Sequence, residues 1–242
     1  MKRLIAVLTL VVLTFASTPA SAQWGAMTGI HSIDISVSDS TVWIVGTDNT
    51  VYSLPKQNIG TGSFTPAVGD VKAVRIGVSQ DNVVYIVSVD QGVYRYSGVG
   101  WLRLGSQTAI DVCANVNGPS IIGTDNKIYL WTGGEWKGFS DTYKGTRISD
   151  TNDGRIVIVG MDGSIFDSTG GNWGRLKDMK GQDIAVFGQT VWIVGQDNSI
   201  YYYQGVWSQY DGGQAQAISA SQGTPYVIGR DNKPYVGQAG AR

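Results

Sequence analysis

The sequence predicts an all-β fold of six repeated units, because one phrase of eleven residues recurs six times. Its first copy runs from Val42 to Tyr52 and reads Val-Trp-Ile-Val-Gly-Thr-Asp-Asn-Thr-Val-Tyr. The aromatic residue that ends it returns at positions spaced 42, 35, 37, 35 and 34 residues apart, which are Tyr94, Tyr129, Phe166, Tyr201 and Tyr235. A period in this range, built from short β-rich segments, is typical of propeller blades. We therefore expect a six-bladed β-propeller.

Each unit resolves into four short segments separated by turn residues, and unit five is the clearest example. Its segments are 182–187, 190–195, 199–203 and 207–210. Apolar and polar residues alternate with a period of two within them, as half-buried strands require. The sequence therefore predicts four-stranded antiparallel blades.

The turn between the second and third segments carries an acidic residue in every unit. The pairs are Asp48-Asn49, Asp125-Asn126, Asp162-Gly163, Asp197-Asn198 and Asp231-Asn232, with Asp90-Gln91-Gly92 as a variant. Such pairs tolerate the positive φ of tight hairpins. A calcium loop needs several oxygens that converge within one loop, and here each turn has a single carboxylate. We expect hairpin turns and no metal site.

The last unit lacks a fourth segment of its own. In the other five units we expect this segment to start with an aromatic residue, namely Phe64, Trp101, Trp136, Trp173 and Trp207. The missing aromatic stands near the start of the chain, in Gln23-Trp24-Gly25-Ala26-Met27. We expect this N-terminal strand to complete the last blade, which would protect an exposed sheet edge.

The first residues are typical of a secretory signal peptide. Lys2 and Arg3 precede an apolar run from Leu4 to Phe15, and Ala20-Ser21-Ala22 has the A-x-A form of a cleavage site. We expect residues 1–22 to be the leader and 23–242 to be one domain of about 37 residues per unit. The mature protein would be secreted or periplasmic, without membrane insertion.

Composition argues against several classes of function. There are 18 basic and 19 acidic residues, without a run of either sign, so the charge pattern of a nucleic-acid binder is absent. Enzymatic constellations are scarce, because His31 is the single histidine and Glu135 the single glutamate. The lone Cys113 stands in an apolar stretch and is expected to be a buried small residue. We expect no enzyme, no cofactor and no disulfide framework.

A charged position recurs in the first strand of the units. Counting back 18 or 19 residues from the recurring aromatic gives Asp34, Arg75, Asp111, Arg147, Asp183 and Ala217. If the first strands line the central axis, opposite charges alternate around a ring with one gap. We interpret the ring as pairs that hold neighbouring blades in register; a charged channel mouth that binds an ion or ligand is the alternative.

Four phrases together carry a family resemblance. They are Trp-x-x-hydrophobic, hydrophobic-Asp-Ile, Val-Trp-Ile-Val-Gly and Asp-Asn-x-Ile-Tyr, and they resemble the tectonin-type β-propeller repeat over residues 23–242. The resemblance implies carbohydrate binding without catalysis, often to microbial surface sugars. The second-strand tryptophan of such repeats is present at Trp43 and Trp192, and other residues replace it in the remaining units: Tyr85, Ser120, Val157 and Tyr226.

Aromatic residues that depart from the strict repeat are the candidate ligand-binding residues. Tyr96, Trp131 and Tyr203 share the position two residues after the recurring aromatic. Exposed rings can stack on sugars while polar neighbours bind the hydroxyls; packing of the outer strand against the next blade is the alternative. The complete predicted set is Trp43, Tyr85, Tyr96, Trp131, Trp192 and Tyr203.

Two functions remain open at this point. The first is a lectin-like propeller whose weak sites, repeated around the ring, gain avidity on surface glycans. The second is an envelope or extracellular scaffold that binds a protein on one propeller face, without sugar specificity. Fold alone does not separate them.

Overall fold

The computed structural model describes residues 24–27 and 29–238, so the expected leader lies outside the described residues. The described chain consists of 21 β-strands and two short 3-10 helices, Lys56–Asn58 and Thr169–Gly171. Strand β1 spans Trp24–Ala26. Within the described ranges, no helix has the length and apolar character needed to cross a membrane.

The first three units follow the predicted segments. Unit one contains β2 (Ser32–Val37), β3 (Thr41–Gly46), β4 (Val51–Pro55) and β5 (Thr65–Pro66). Unit two contains β6 (Ala73–Val78), β7 (Val84–Ser88), β8 (Gly92–Tyr96) and the first part of β9 (Trp101–Asn115). Unit three contains the rest of β9, β10 (Gly118–Gly123), β11 (Ile128–Trp131) and β12 (Trp136–Ser140).

The last three units repeat this order. Unit four contains β13 (Gly145–Asp150), β14 (Ile156–Gly160), β15 (Ser164–Asp167) and the first part of β16 (Gly174–Phe187). Unit five contains the rest of β16, β17 (Thr190–Gly195), β18 (Ser199–Tyr203) and the first part of β19 (Trp207–Ser221). Unit six contains the rest of β19, β20 (Thr224–Gly229) and β21 (Pro234–Gly237). Strand β1 pairs antiparallel with β21, with Gly25 opposite Val236.

Three long strands connect neighbouring units. In β9, β16 and β19 the outer strand of one unit continues as the first strand of the next, and the hydrogen-bonded sheets therefore have ten, seven and four strands. Each long strand contains a residue with positive φ: Gly105 at 65°, Asp178 at 72° and Gly212 at 89°. These residues allow the chain to turn from the outer edge of one unit to the inner edge of the next.

A β-bulge precedes the recurring charged position in all six units. The register between first and second strands shifts between Ser32 and Asp34, between Ala73 and Arg75, and at the equivalent places in the other units. A bulge changes the direction in which the following side chain points. It therefore sets the orientation of the ring residues.

The acidic turns are closed by tyrosine. In unit five, Asp197 Oδ1 accepts the N–H of Ser199 at 3.0 Å and Oδ2 accepts the hydroxyl of Tyr201 at 2.8 Å. Units one, three and six repeat this pattern, and their turn asparagines have positive φ as predicted. The carboxylates are thus occupied within their own turns.

Six apolar clusters lie between neighbouring units of the described chain. One joins Trp43 and Val45 of unit one to Ile76 and Ile86 of unit two. Another joins Ile35 of unit one to residues of unit six, and the remaining four occupy the other junctions. The core is therefore a series of junctions between units, and no single central core exists within the described residues.

The turn geometry makes a prediction about glycine. A Cβ built on Gly195 would lie 2.6 Å from Asp197 Oδ1 and 2.8 Å from Tyr201 Cε2, whereas one on Gly138 meets nothing within 4 Å. We expect Gly195→Ala to lower the free energy of unfolding by roughly 1–3 kcal/mol through overpacking. Gly138→Ala is the matched control and should be close to neutral. Equal denaturant midpoints for the two variants would contradict this account of the turn.

Candidate functional site

The first strands of the six units surround a cavity of about 300 Å³. Its floor is formed at the recurring charged position, by Asp34, Asp111 and Asp183. Two residues further along each first strand, the wall residues are all small: Ser36, Gly77, Cys113, Ser149, Ala185 and Ser219. The cavity exists because none of these side chains reaches across the axis.

The floor carboxylates fix the register between neighbouring units. The N–H of Ile76 donates to Asp34 Oδ2 at 2.8 Å, and the same bond runs from Ile148 to Asp111 at 2.8 Å and from Ile218 to Asp183 at 2.7 Å. In each case the donor belongs to the following unit. We name Asp34, Asp111 and Asp183 the ring carboxylates.

Wall serines make the same kind of bond. Ser36 Oγ accepts the N–H of Val78 at 2.9 Å, Ser149 Oγ that of Val186 at 3.0 Å, and Ser219 Oγ that of Val37 at 3.1 Å. The last of these bonds joins unit six to unit one. Hydroxyl and carboxylate acceptors thus serve the same purpose, and the junction of units one and two has both.

Two arginines pair with ring carboxylates of the following unit. Arg75 Nε lies 3.6 Å from Asp111 Oδ1, and Arg147 Nε lies 3.4 Å from Asp183 Oδ1. These pairs agree with the predicted alternation of charge. At the junction of units two and three, a Cβ on Gly77 would lie 2.8 Å from the Cα of Cys113. Glycine therefore allows the two strands to approach closely.

Burial governs the protonation of these acids. It raises the pKa of Asp34 to about 7, against the opposing effect of Arg75, and that of Asp111 to about 6, against Arg147 and Arg75. Burial also raises the pKa of Asp183. The ring therefore holds protons at a higher pH than exposed aspartates do.

One junction has different chemistry from the rest. Asp150, the last residue of β13, replaces the aliphatic side chain found at this position in the other units. Its Oδ2 accepts the hydroxyl of Ser120 and the side-chain amide of Asn115, both at 2.7 Å. Burial raises its pKa to about 6, although these bonds favour the carboxylate. We name Asn115, Ser120 and Asp150 the Asp150 niche.

The cavity opens on the side of the turns between first and second strands, which we name the cavity face. Exposed polar side chains surround the opening: Gln80, Asn152, Asp153 and Gln189. The side-chain amide of Asn152 donates to Gln80 Oε1 at 2.8 Å and so connects units two and four. Turns between third and fourth strands lie on the same side, because strand direction alternates in an antiparallel sheet.

Three of the six predicted ligand-binding residues are buried in the junctions. Trp43, Tyr85 and Trp192 are exposed by only 6, 7 and 5 %. Trp43 Nε1 donates to Asn82 Oδ1 of the next unit at 2.8 Å. These rings pack between units and do not present a free face for stacking.

The other three predicted residues are half-buried and form equivalent aromatic pairs. Tyr96, Trp131 and Tyr203 lie with their ring centroids 4.9, 5.1 and 5.1 Å from the fourth-strand tryptophans of their own units, which are Trp101, Trp136 and Trp207. The six predicted residues are distributed among several junctions and do not form one site. Their role in ligand binding stays a prediction.

A second cavity, of about 320 Å³, lies beside unit six. It is lined by Trp24 and Tyr235 together with polar residues that include Gln214, Arg230 and Asp231. Sequence reasoning placed no site here, because Trp24 was assigned only to the last blade.

Other reactive side chains have structural positions. His31 is exposed, and its Nδ1 lies 3.2 Å from the carbonyl oxygen of Asp231. Burial raises the pKa of the Cys113 thiol well above its usual value. Among the described residues, no three His, Cys, Asp or Glu side chains come together as metal ligands.

The buried acids predict an unusual dependence of stability on pH. Since their pKa values are raised on folding, the folded state binds more protons than the unfolded state between about pH 4 and pH 7. Stability should therefore rise as pH falls from about 8 to about 5. Below about pH 4 the trend should reverse, because hydrogen bonds hold the pKa of turn residues such as Asp162 below its usual value. At Asp162 the most important of these bonds comes from the N–H of Ser164.

Thermal unfolding across this pH range tests the prediction. Asp150→Asn removes one raised carboxyl and should make the rise shallower. Asp141→Asn is the control, since the Asp141 side chain is 94 % exposed. A melting temperature that falls steadily from pH 8 to pH 5 would contradict the raised pKa values.

Comparison with known proteins identifies the fold. No family model matches the chain, and no curated protein matches it. A solved structure described as YCF48 bound to D1 peptide is similar, with a TM-score of 0.61 and 14 % identity over 92 % of this chain and 98 % of that one. The WD40 β-propeller domain of Doa1 gives a TM-score of 0.63 with 13 % identity, over 89 % and 97 % of the two chains. The RRP9 WD40 repeats give a TM-score of 0.64 with 7 % identity, over 90 % of this chain and 97 % of that one.

The prediction of an all-β propeller is confirmed at the level of the fold, and the neighbours are propellers of the WD40 type.

Proposed function

We propose that this chain is a secreted or periplasmic, non-catalytic propeller that binds a protein or peptide on its cavity face. The observation that carries this proposal is the distribution of apolar side chains. Aromatic rings are packed into the junctions, whereas most of the strongly exposed apolar side chains are aliphatic. Sugars are held by exposed aromatic faces, while aliphatic side chains in a polar surround suit a protein partner.

The cavity face combines both kinds of surface. Val99, Val116 and Val206 belong to its turns and are exposed by 82, 53 and 71 %. They share the cavity face with the polar opening formed by Gln80, Asn152 and Gln189. A similar propeller has been solved with a bound peptide, and that likeness supports a peptide as the partner by analogy only.

Glycan binding is the second candidate, and two observations favour it. The pairs formed by Tyr96, Trp131 and Tyr203 repeat the same geometry in three units. The cavity beside unit six has two aromatic residues and several hydrogen-bonding side chains, a composition that suits a sugar. Microbial surface sugars remain the ligand class that the tectonin resemblance implies.

We also propose that the six units are tectonin-type blades of a closed ring, with β1 as the fourth strand of the last blade. The pairing of β1 with β21 supports closure. The bond from Val37 to Ser219 and the bond from Ser221 Oγ to Ser38 O, at 3.2 Å, support a junction between units six and one. Met27, exposed by only 2 %, packs in the apolar cluster between units six and one.

Export and the absence of catalysis are supported by separate features. Lys2, Arg3 and the following apolar run support an exported protein. Glu135 is exposed, and the single histidine is held beside a backbone carbonyl. Neither forms a recognisable pair of acid and base with a nucleophile.

Truncation tests the closed ring. A chain that begins at residue 29 lacks β1 and Met27, so it exposes the edge of β21 and removes a buried side chain that is worth roughly 2–5 kcal/mol. We expect it to aggregate on size-exclusion chromatography and to melt at a lower temperature. A chain that begins at residue 24 is the control. A monomeric truncated chain with unchanged melting temperature would exclude closure by β1.

Parallel screens separate the two functions. Residues 23–242 are presented to a displayed random-peptide library and to a glycan array. Peptides selected on the wild type should bind Gln189→Arg about tenfold more weakly, since a charge at a contact position costs roughly 1.4 kcal/mol. Gln182→Arg, an exposed position of the same unit on the opposite face, should bind them normally.

The opposite pattern would favour the lectin. Saturable binding to one sugar class, competed by the free sugar and unaffected by Gln189→Arg, would replace the peptide proposal with glycan binding. Replacement of Tyr203 or Trp131 by alanine would then locate the sugar site.

A further inference from the structure

The Asp150 niche is a departure from the packing used at the other junctions. Trp43 packs with Val78, Trp192 with Ala220 and Tyr226 with Val37 at the equivalent positions. In unit three the aromatic is replaced by Ser120, and in unit four the aliphatic residue is replaced by Asp150. A buried carboxylate contributes less to stability than apolar packing of the same site, so the packing of the fold does not account for this exchange.

Asp150 has one oxygen without a hydrogen-bond partner. Its Oδ2 accepts two side-chain donors, and the neighbouring Cys113 thiol also favours the ionised form of Asp150, whereas Oδ1 is buried and has no donor at hydrogen-bonding geometry within the described part of the chain. The residue is 9 % exposed and lines the central cavity. A buried carboxylate oxygen strongly favours a donor, especially a charged one.

The wall of the cavity favours a cation. Five carboxylates line it: Asp34, Asp111, Asp150, Asp153 and Asp183. Among the described lining residues, none is lysine, arginine or histidine. Arg75 and Arg147 come within ion-pair distance of Asp111 and Asp183. Arg75 also favours the ionised form of Asp34 from a longer distance, whereas no ion pair involves Asp150 among the described residues. A charge of one sign in a polar cleft concentrates ligands of the opposite sign.

We propose that the central cavity binds an alkylammonium group, with Asp150 as its main charged contact. The ring carboxylates contribute a negative electrostatic potential around the bound group. A guanidinium binds best to both oxygens of one carboxylate, and Asp150 Oδ2 is already occupied. A compact ammonium with three donors needs only one oxygen from each acceptor. A volume of about 300 Å³ accommodates an extended aliphatic amine of the length of a lysine side chain.

This inference rests on the proposed function in one respect, since a lysine of a bound peptide would enter through the cavity face. A free amine could supply the same group. Gln80, Asn152 and Gln189 at the opening can hydrogen-bond the backbone of a peptide but offer a free amine little. The two sources are therefore distinguishable by the remainder of the ligand.

Calorimetric titration of residues 23–242 with three probes tests the site. Nα-acetyl-lysine methylamide is compared with its norleucine analogue, which lacks the charge, and with n-butylamine. We expect the lysine probe to bind at least about tenfold more tightly than the norleucine probe, the effect of one charge pair in a partly desolvated site. Equal affinities of butylamine and the lysine probe indicate a free amine as ligand; tighter binding of the lysine probe indicates a peptide.

Two variants locate the contact. Asp150→Asn should reduce affinity for the lysine probe about tenfold or more. Asp141→Asn removes the same charge from an exposed site outside the cavity lining and should change the affinity less than about twofold. Equal binding of lysine and norleucine probes by the wild type, or wild-type affinity in a folded Asp150→Asn variant, would overturn the proposal. The comparison of probes on the wild type does not depend on the folding of any variant.

The outcomes separate this inference from the proposed function. Selected peptides that depend on Gln189, together with equal binding of the lysine and norleucine probes, would reject the cation site and leave peptide binding in place. Lysine binding that requires Asp150, with no peptide affected by Gln189→Arg, would keep the cation site and reject the cavity face as a peptide surface.

Discussion

The hydrogen bond that a backbone N–H of one first strand donates to a side chain of the preceding first strand holds this fold in register. First strands of neighbouring units lie side by side without a continuous ladder between them, and Asp34, Asp111 and Asp183 supply the missing acceptors. A buried N–H without a partner costs about 1–3 kcal/mol. The position of each ring carboxylate relative to the next unit is therefore strongly determined, and the apolar clusters pack around it.

Local features were predictable from sequence because they depend on neighbouring residues. Asp48-Asn49 and its counterparts indicate hairpins, and Asn49, Asn126, Asn198 and Asn232 have the positive φ that such turns need. The spacing of the aromatics set the unit length. The tyrosine hydroxyls that close these turns were not predicted, because their bond to aspartate four residues earlier depends on the side-chain rotamers of a folded hairpin.

Features that depend on contacts between units were harder to predict. Trp43 and Trp192 have the composition of a sugar-binding surface, but the next unit covers both. The bulge before each ring position leaves no mark in the composition, since the bulge residues include Ile33, Val74 and Gln182. Ser120 and Asp150 are thirty residues apart, and only the fold makes them a pair. The sequence did contain one indication of this pair, which is the loss of the second-strand aromatic residue at Ser120.

The chemistry of the cavity follows from the different hydrogen-bonding roles of its acidic residues. Ring carboxylates cannot be exchanged freely, because each satisfies a backbone N–H of the following unit. Their negative charge at the floor is therefore a by-product of register. Their raised pKa values reflect burial first, and the neighbouring aspartates add to the rise. Asp150 carries no such backbone bond, since its Oδ2 is held by Ser120 and Asn115 and its Oδ1 has no described partner. A change at this position alters the charge of the wall and removes side-chain bonds to unit three, but it leaves the bond from the N–H of Ile148 to Asp111 in place. Asp150 is thus an acidic wall residue that binds no backbone N–H of the neighbouring unit, and its charge can serve a ligand.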